Sequence, residues 1–189
     1  MILLLALALY PSPGLSRQVG PSPIGIGGSI PDFVMISPPF GQSDVVTEKD
    51  GLEAVSLSSR PDQIIVRLEN TNRSSTSSAR LRIWIRTNTY YKVEASLLAD
   101  APEASVMLSP VTARPTGPGV VASALNLFAA SSGRAQITTQ PNKIAAGARI
   151  SRGAISSASN AIELVLNVEV EQKSAAAKPV DILFRIEPA

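Results

Sequence analysis

The 189-residue chain contains neither cysteine nor histidine. Without cysteine there is no disulfide framework, thiolate metal site or lipid-modified thiol, so stability must come from an apolar core. Without histidine the commonest metal ligand is missing, as is the side chain that most readily exchanges protons near neutral pH. Most zinc and hydrolase mechanisms are excluded with it, and neither a metal nor a cofactor is expected. Aromatic residues are also scarce, at 4% of the chain against 44% apolar residues in total. The core is therefore expected to be aliphatic, with Trp84 its one indole. Charge of one sign is scarce too: the formal net charge is +2, although twelve of the seventeen basic residues are arginine. Binding a polyanion such as nucleic acid needs a contiguous basic face that displaces counterions, and here the cations are dispersed among fifteen carboxylates. No nucleic-acid partner is expected.

The only long apolar run is Met1 to Leu9, MILLLALAL. It suits the central region of a secretory signal and is far short of the ~20 residues that span a bilayer. Gly14 and Ser16 stand at the spacing expected before a cleavage site, making Arg17 the first mature residue. No Lys or Arg precedes the run, and a buried N-terminal strand is the competing reading. Residues 1–16 are thus read as a signal peptide and the protein as secreted, periplasmic or cell-surface, with no transmembrane segment. From Pro11 to Gly41 the chain carries seven prolines and six glycines, a density that prevents a helix and interrupts any central strand. Residues 17–41 are read as an arm or linker, ending in an apolar piece with Phe33, Val34, Met35 and Ile36 just before Pro38-Pro39.

Beyond Gly41 the apolar pattern turns to period two, which places alternate side chains on opposite faces of a sheet. Val55 and Leu57 suggest one strand, and Ile64, Val66 and Leu68 the inward face of the next. Leu81, Ile83 and Ile85 alternate with Arg80, Arg82, Trp84 and Arg86, so one face is aliphatic and the other carries three arginines around an indole. Tyr91, Val93, Ala95 and Leu97 follow after a turn at Asn88-Thr89, and these two runs are expected to pair as a hairpin. Four prolines between Asp100 and Gly119 predict loops around one short strand near Val106 to Leu108. Residues 120–130 fit both helix and strand, with strand preferred, and Gln136 to Thr139 suggest a short strand before a turn at Gln140-Pro141-Asn142. In AIELVLNVEVEQ, Ile162, Leu164, Leu166, Val168 and Val170 share one face, which predicts a long central strand. Val180 to Ile186 supplies the last. Residues 42–189 are accordingly expected to be an all-β domain, an immunoglobulin-like antiparallel sandwich of about seven to nine strands preceded by a Pro/Gly-rich arm.

Candidate chemistry is sparse. Glu163, Glu169 and Glu171 lie on the outward face of a regular strand, where ion pairing across the sheet is the ordinary role, and few aromatics remain to wall a glycosidase cleft. A serine nucleophile would need a lysine base, and no Ser-x-x-Lys motif occurs. Gly25-Ile26-Gly27-Gly28 lacks the helix that a phosphate loop requires. Glu48, Asp50 and Gly51 lack the ligand series of a calcium loop and read as a β-turn. The remaining candidate is the ridge Arg80, Arg82, Trp84 and Arg86 with Tyr90 nearby, since guanidinium groups and indoles engage sugars and anionic polymers. Against it stands cross-strand pairing of these arginines with Glu94, Glu163, Glu169 or Glu171.

The expectation is an exported, non-enzymatic structural or adhesive protein that self-associates or meets other surface proteins. The segment Phe33 to Ile36 would add to a sheet edge of a neighbouring copy or fold back on its own domain. The alternative is a carbohydrate- or polymer-binding module using the arginine and tryptophan ridge. In architecture alone, the outline resembles bacterial fimbrial subunits and other immunoglobulin-like surface modules. No motif of theirs is matched residue by residue, and the cysteine pair of many of them is missing.

Overall fold

A computed structural model describes residues 32–70, 76–117, 126–127, 134–147, 160–173 and 178–189, and among these described residues twelve strands are arranged in two antiparallel sheets. The signal and most of the arm lie outside the described residues. Among the described residues there is no helix, and so none long and apolar enough to cross a membrane.

The first sheet contains β1 (Val34–Ser37), β2 (Val46–Asp50), β5 (Thr76–Thr87), β7 (Ala104–Thr116), β9 (Ala135–Ile137) and β11 (Ala161–Gln172). Its order is β1-β5-β11-β7-β9, with β2 also on β5. The second contains β3 (Leu52–Arg60), β4 (Gln63–Asn70), β6 (Tyr91–Leu97), β8 (Asn126–Leu127), β10 (Asn142–Gly147) and β12 (Val180–Pro188), in the order β3-β4-β12-β6-β10-β8. The count exceeds the seven to nine expected mainly because β2 and β10 carry no clear alternation in the sequence, whereas the short strand expected from Gln136 is present as β9.

The core forms where the two inward faces meet. Leu81, Ile83 and Ile85 of β5 and Leu164, Leu166 and Val168 of β11 face Ile64 and Val66 of β4, Val93 of β6, and Ile182 and Phe184 of β12, all buried. At ~25 cal/mol per Å² of apolar surface removed from water, this aliphatic layer is what holds the sheets together. The long central strand is found as expected: β11 pairs with β5 from Ile162 to Glu171 and with β7 along its whole length.

Four local expectations are corrected. β5 and β6 do not form a hairpin; they lie in different sheets, and Asn88 to Tyr90 carries the chain across the sandwich. Both strands turn an aliphatic face to the same core, so alternation reads alike for a pair side by side and a pair face to face. The proline-rich segment is a 13-residue strand, β7. Pro110 sits beside a bulge opposite β11, and β9 covers only Val106 to Leu108, so both prolines of β7 fall along an outer edge with no described neighbour, where a missing N–H costs little. The strand signalled by Val55 and Leu57 exists, but these two point outward and are exposed, whereas Leu52 and Ala54 enter the core. Glu48 and Asp50 are in β2 rather than a turn, and the chain passes from the first sheet to the second at Gly51, whose φ of +64° is the left-handed region that glycine occupies without a Cβ clash.

Candidate functional site

The sequence's chemistry-bearing ridge lies on the outer face of the first sheet, and its centre is a carboxylate. Period two puts Arg80, Arg82, Trp84 and Arg86 outward on β5 because Leu81, Ile83 and Ile85 are drawn into the core. On the adjoining central strand the same rule turns Glu163 outward, directly opposite Trp84 on one side and Arg114 of β7 on the other. Glu163 is nevertheless only 4% exposed. Arg114 donates from Nε to its Oε1 at 2.9 Å and lies 2.8 Å from the same oxygen through Nη2. The Trp84 indole N–H donates to Oε2 at 3.3 Å, and Arg82 Nε stands 3.6 Å from Oε2. Both carboxylate oxygens are thus engaged, and one acid ties together three neighbouring strands.

The rest of the ridge is also paired. Arg80 meets Glu48 of β2 at 2.8 Å, an exposed pair. Arg134 meets Glu169 at 3.2 Å, while Glu171 lies opposite Thr76 and Ser105. Glu94 is not a partner of the ridge: it is on the second sheet, 3.0 Å from Lys92. Lys92 also meets Glu187 at 3.0 Å, and hydrogen bonds to these two carboxylates push its ammonium above the ordinary lysine range. Arg67 is likewise raised by its bonds to Asp181, at 2.8 and 2.9 Å. Sequence reasoning missed Arg114 and Glu48. Arg114 stands 49 positions from Glu163 in a segment that its prolines disguise, so no local signal links them.

The aromatic residues do not form a common platform. Trp84 is half-buried on the first sheet, Tyr90 is 63% exposed at the crossing between sheets, and Tyr91 is fully buried. Beside the ridge lie two shallow clefts. One of about 510 Å³ is bounded by Gly41 to Asp44, Val46, Thr47 and Arg82, and one of about 250 Å³ by Glu48 to Asp50, Ser78 to Arg80 and Asn167. Among the described residues no group of three or more carboxylates forms a metal-holding cluster. The four residues Phe33 to Ile36 are placed on the domain itself: Val34, Met35 and Ile36 belong to β1, which pairs with Ile85 to Thr87, and Ile36 is 1% exposed. Phe33 precedes the strand, its N–H donating to Asn88 Oδ1 at 2.7 Å.

The outer face of the second sheet differs in kind. Val55 and Leu57 on the edge strand β3 are exposed, as is Leu98 beyond β6. Val55 stands opposite Arg67, and the Leu98 N–H donates to the Asp181 carbonyl at 3.0 Å, so these two flank the Arg67–Asp181 pair in one row. In the next row Ile65 and Leu183 stand opposite each other on β4 and β12, both half-buried. With Leu57 they form a short apolar stripe between the Arg67–Asp181 row and the row containing Arg185 and Glu94.

Comparison with protein-family models, with curated proteins and with solved structures finds no match for this chain.

Proposed function

We propose that this chain is an exported, non-enzymatic structural or adhesive protein of the cell exterior, its sandwich of the immunoglobulin-like class. The observation that carries this reading is the apolar stripe of Leu57, Ile65 and Leu183, with Val55 and Leu98 exposed on the neighbouring row at either side of the Arg67–Asp181 pair, on an otherwise charged sheet face. Contiguous exposed apolar surface rimmed by polar groups marks a protein contact. The ridge supports the same reading, because Glu163 is held between two guanidinium groups and an indole, with both carboxylate oxygens engaged.

The test is to express the full chain with a C-terminal tag and compare it with the V55E/L57E variant. A mature N-terminus at Arg17 and retention in the surface fraction, reduced several-fold by the variant at unchanged folding, is the expected result. Retention of Met1 in a cytosolic protein, or identical behaviour of the variant, refutes it. A polymer-binding ridge is the second reading, favoured by one observation: Arg82 and Arg114 share a single carboxylate, which leaves a guanidinium excess around Trp84. Salt-dependent retention on an immobilised carboxylated polysaccharide, lost in the Trp84→Ala variant, supports it.

A further inference from the structure

β5 receives two separate short strands on one edge. β2 covers Ser78 to Leu81, β1 covers Trp84 to Thr87, and between them Arg82 N–H donates to the Val45 carbonyl at 2.7 Å. The strand pairing that holds β1 is made with chain far away in sequence. Val34, Met35, Ile36 and Ser37 stand opposite Thr87, Arg86, Ile85 and Trp84. Phe33 and Asn88 exchange bonds, Phe33 N–H donating to Asn88 Oδ1 at 2.7 Å and Asn88 N–H to the Phe33 carbonyl at 3.3 Å. On its other side the Ile36 N–H donates to the Pro61 carbonyl at 2.7 Å, and its side chain fills a place in the core. β1 is in effect a docked peptide with one buried anchor.

Its tie to the remainder of the domain is the link Pro38 to Ser43, because Asp44 accepts from Ser56 Oγ at 2.6 Å and Val45 is buried in the core. Pro38-Pro39 favours extended backbone, yet here the chain turns back through Gly41 at φ +78°, with Gln42 N–H donating to the Pro39 carbonyl at 2.9 Å. Opened out, six residues at ~3.3 Å each reach about 20 Å. That length lets β1 leave its own β5 and dock on another without altering any other element.

Resting on the self-associating form of the proposed function, we infer that β1 is an exchangeable strand: two copies of this chain swap β1, each placing Ile36 in the other's core and pairing Val34–Ser37 with the other's β5. Exchange conserves every contact of the closed chain and changes only the link. A tethered strand has an effective concentration in the millimolar range, so the swapped form grows as chains are crowded together, as on a surface. It forms slowly, because Ile36 must leave the core first.

The natural absence of cysteine makes the test clean. In the full chain, Met35→Cys with Arg86→Cys places thiols at directly opposed positions of β1 and β5, and oxidation within one chain locks the strand at home. By light scattering after size exclusion, the unmodified chain is expected to show a dimer share rising several-fold from micromolar to millimolar chain. The oxidised double variant should stay monomeric, and reduction should restore the dimer. Chains carrying M35C alone and R86C alone, unfolded together and refolded at high concentration, should give a mixed disulfide dimer. Should the first lock impair folding, Val34→Cys with Thr87→Cys, the next opposed pair, replaces it. A chain that is monomeric throughout and yields no mixed disulfide overturns the exchange. A locked variant that associates as well as the unmodified chain also overturns it, while leaving the apolar stripe and its surface-retention test untouched.

Discussion

Glu163 is a carboxylate placed on the solvent side of a sheet and yet withdrawn from solvent by the side chains it attracts. Removing one partner of such a buried pair leaves a charge uncompensated, which costs more than an exposed pair contributes. Glu163→Gln keeps the shape and removes the charge that Arg82 and Arg114 share. It should destabilise the domain by about 2 kcal/mol, read as a lowered urea midpoint at unchanged slope, whereas Glu48→Gln, which breaks only the exposed pair with Arg80, should change it by less than about 0.5 kcal/mol. The opposite situation holds at Tyr91, whose hydroxyl is fully buried with no hydrogen-bond partner among the described residues. A Cβ at Gly147, opposite it in the register, would fall 2.7 Å from that hydroxyl. Gly147→Ala should therefore cost about 1–3 kcal/mol through overpacking, and Tyr91→Phe should be neutral or stabilising in thermal melts, since it removes an unsatisfied polar group. Burial raises the Tyr91 phenol above its ordinary value near 10. The folded state thus holds a proton that the unfolded chain releases: its contribution to stability is complete below about pH 10 and falls away as pH rises beyond that, which alkaline denaturation followed by tyrosinate absorbance would show. The inward side of Tyr91 was legible in its alternation with Val93, Ala95 and Leu97, and Glu163 was among the foreseen partners of the arginines; the close approach of Gly147 to the Tyr91 ring was not, because the two are 56 positions apart and meet only where β10 pairs with β6.

At the level of elements, β1 and β11 mark the two extremes of attachment. β11 is bonded on both sides and its inward residues are all buried; its five apolar alternations made it visible in sequence. β1 is four residues long and relies on Ile36. Ile36→Ala should cost about 2–4 kcal/mol if the strand is a full member of the fold, measured by denaturant unfolding; a loss below about 0.5 kcal/mol would mean that it is only loosely laid on the edge. β7 was hidden for the converse reason. Prolines ordinarily argue against a strand, but an outer edge and a bulge excuse them, and only the neighbouring strands reveal which edge is free.

For the molecule as a whole, the two outer faces divide the work. The first sheet presents a lattice of paired charges around Trp84, and the second presents an apolar stripe on a polar ground. The V55E/L57E variant should unfold within about 1 kcal/mol of the parent, because exposed side chains contribute little to the core, while its association with surface partners falls several-fold. What the sequence by itself determined was the aliphatic, disulfide-free core, the all-β class, the inward face of β4, β5, β11 and β12, and the exclusion of thiol and imidazole chemistry. Those follow from composition and from a period of two, which any strand obeys wherever it lies. Which strands are neighbours, which sheet each joins, and which arginines reach Glu163 were decided only by the tertiary structure. Alternation records the face on which a side chain lies and carries no information about what stands beside it.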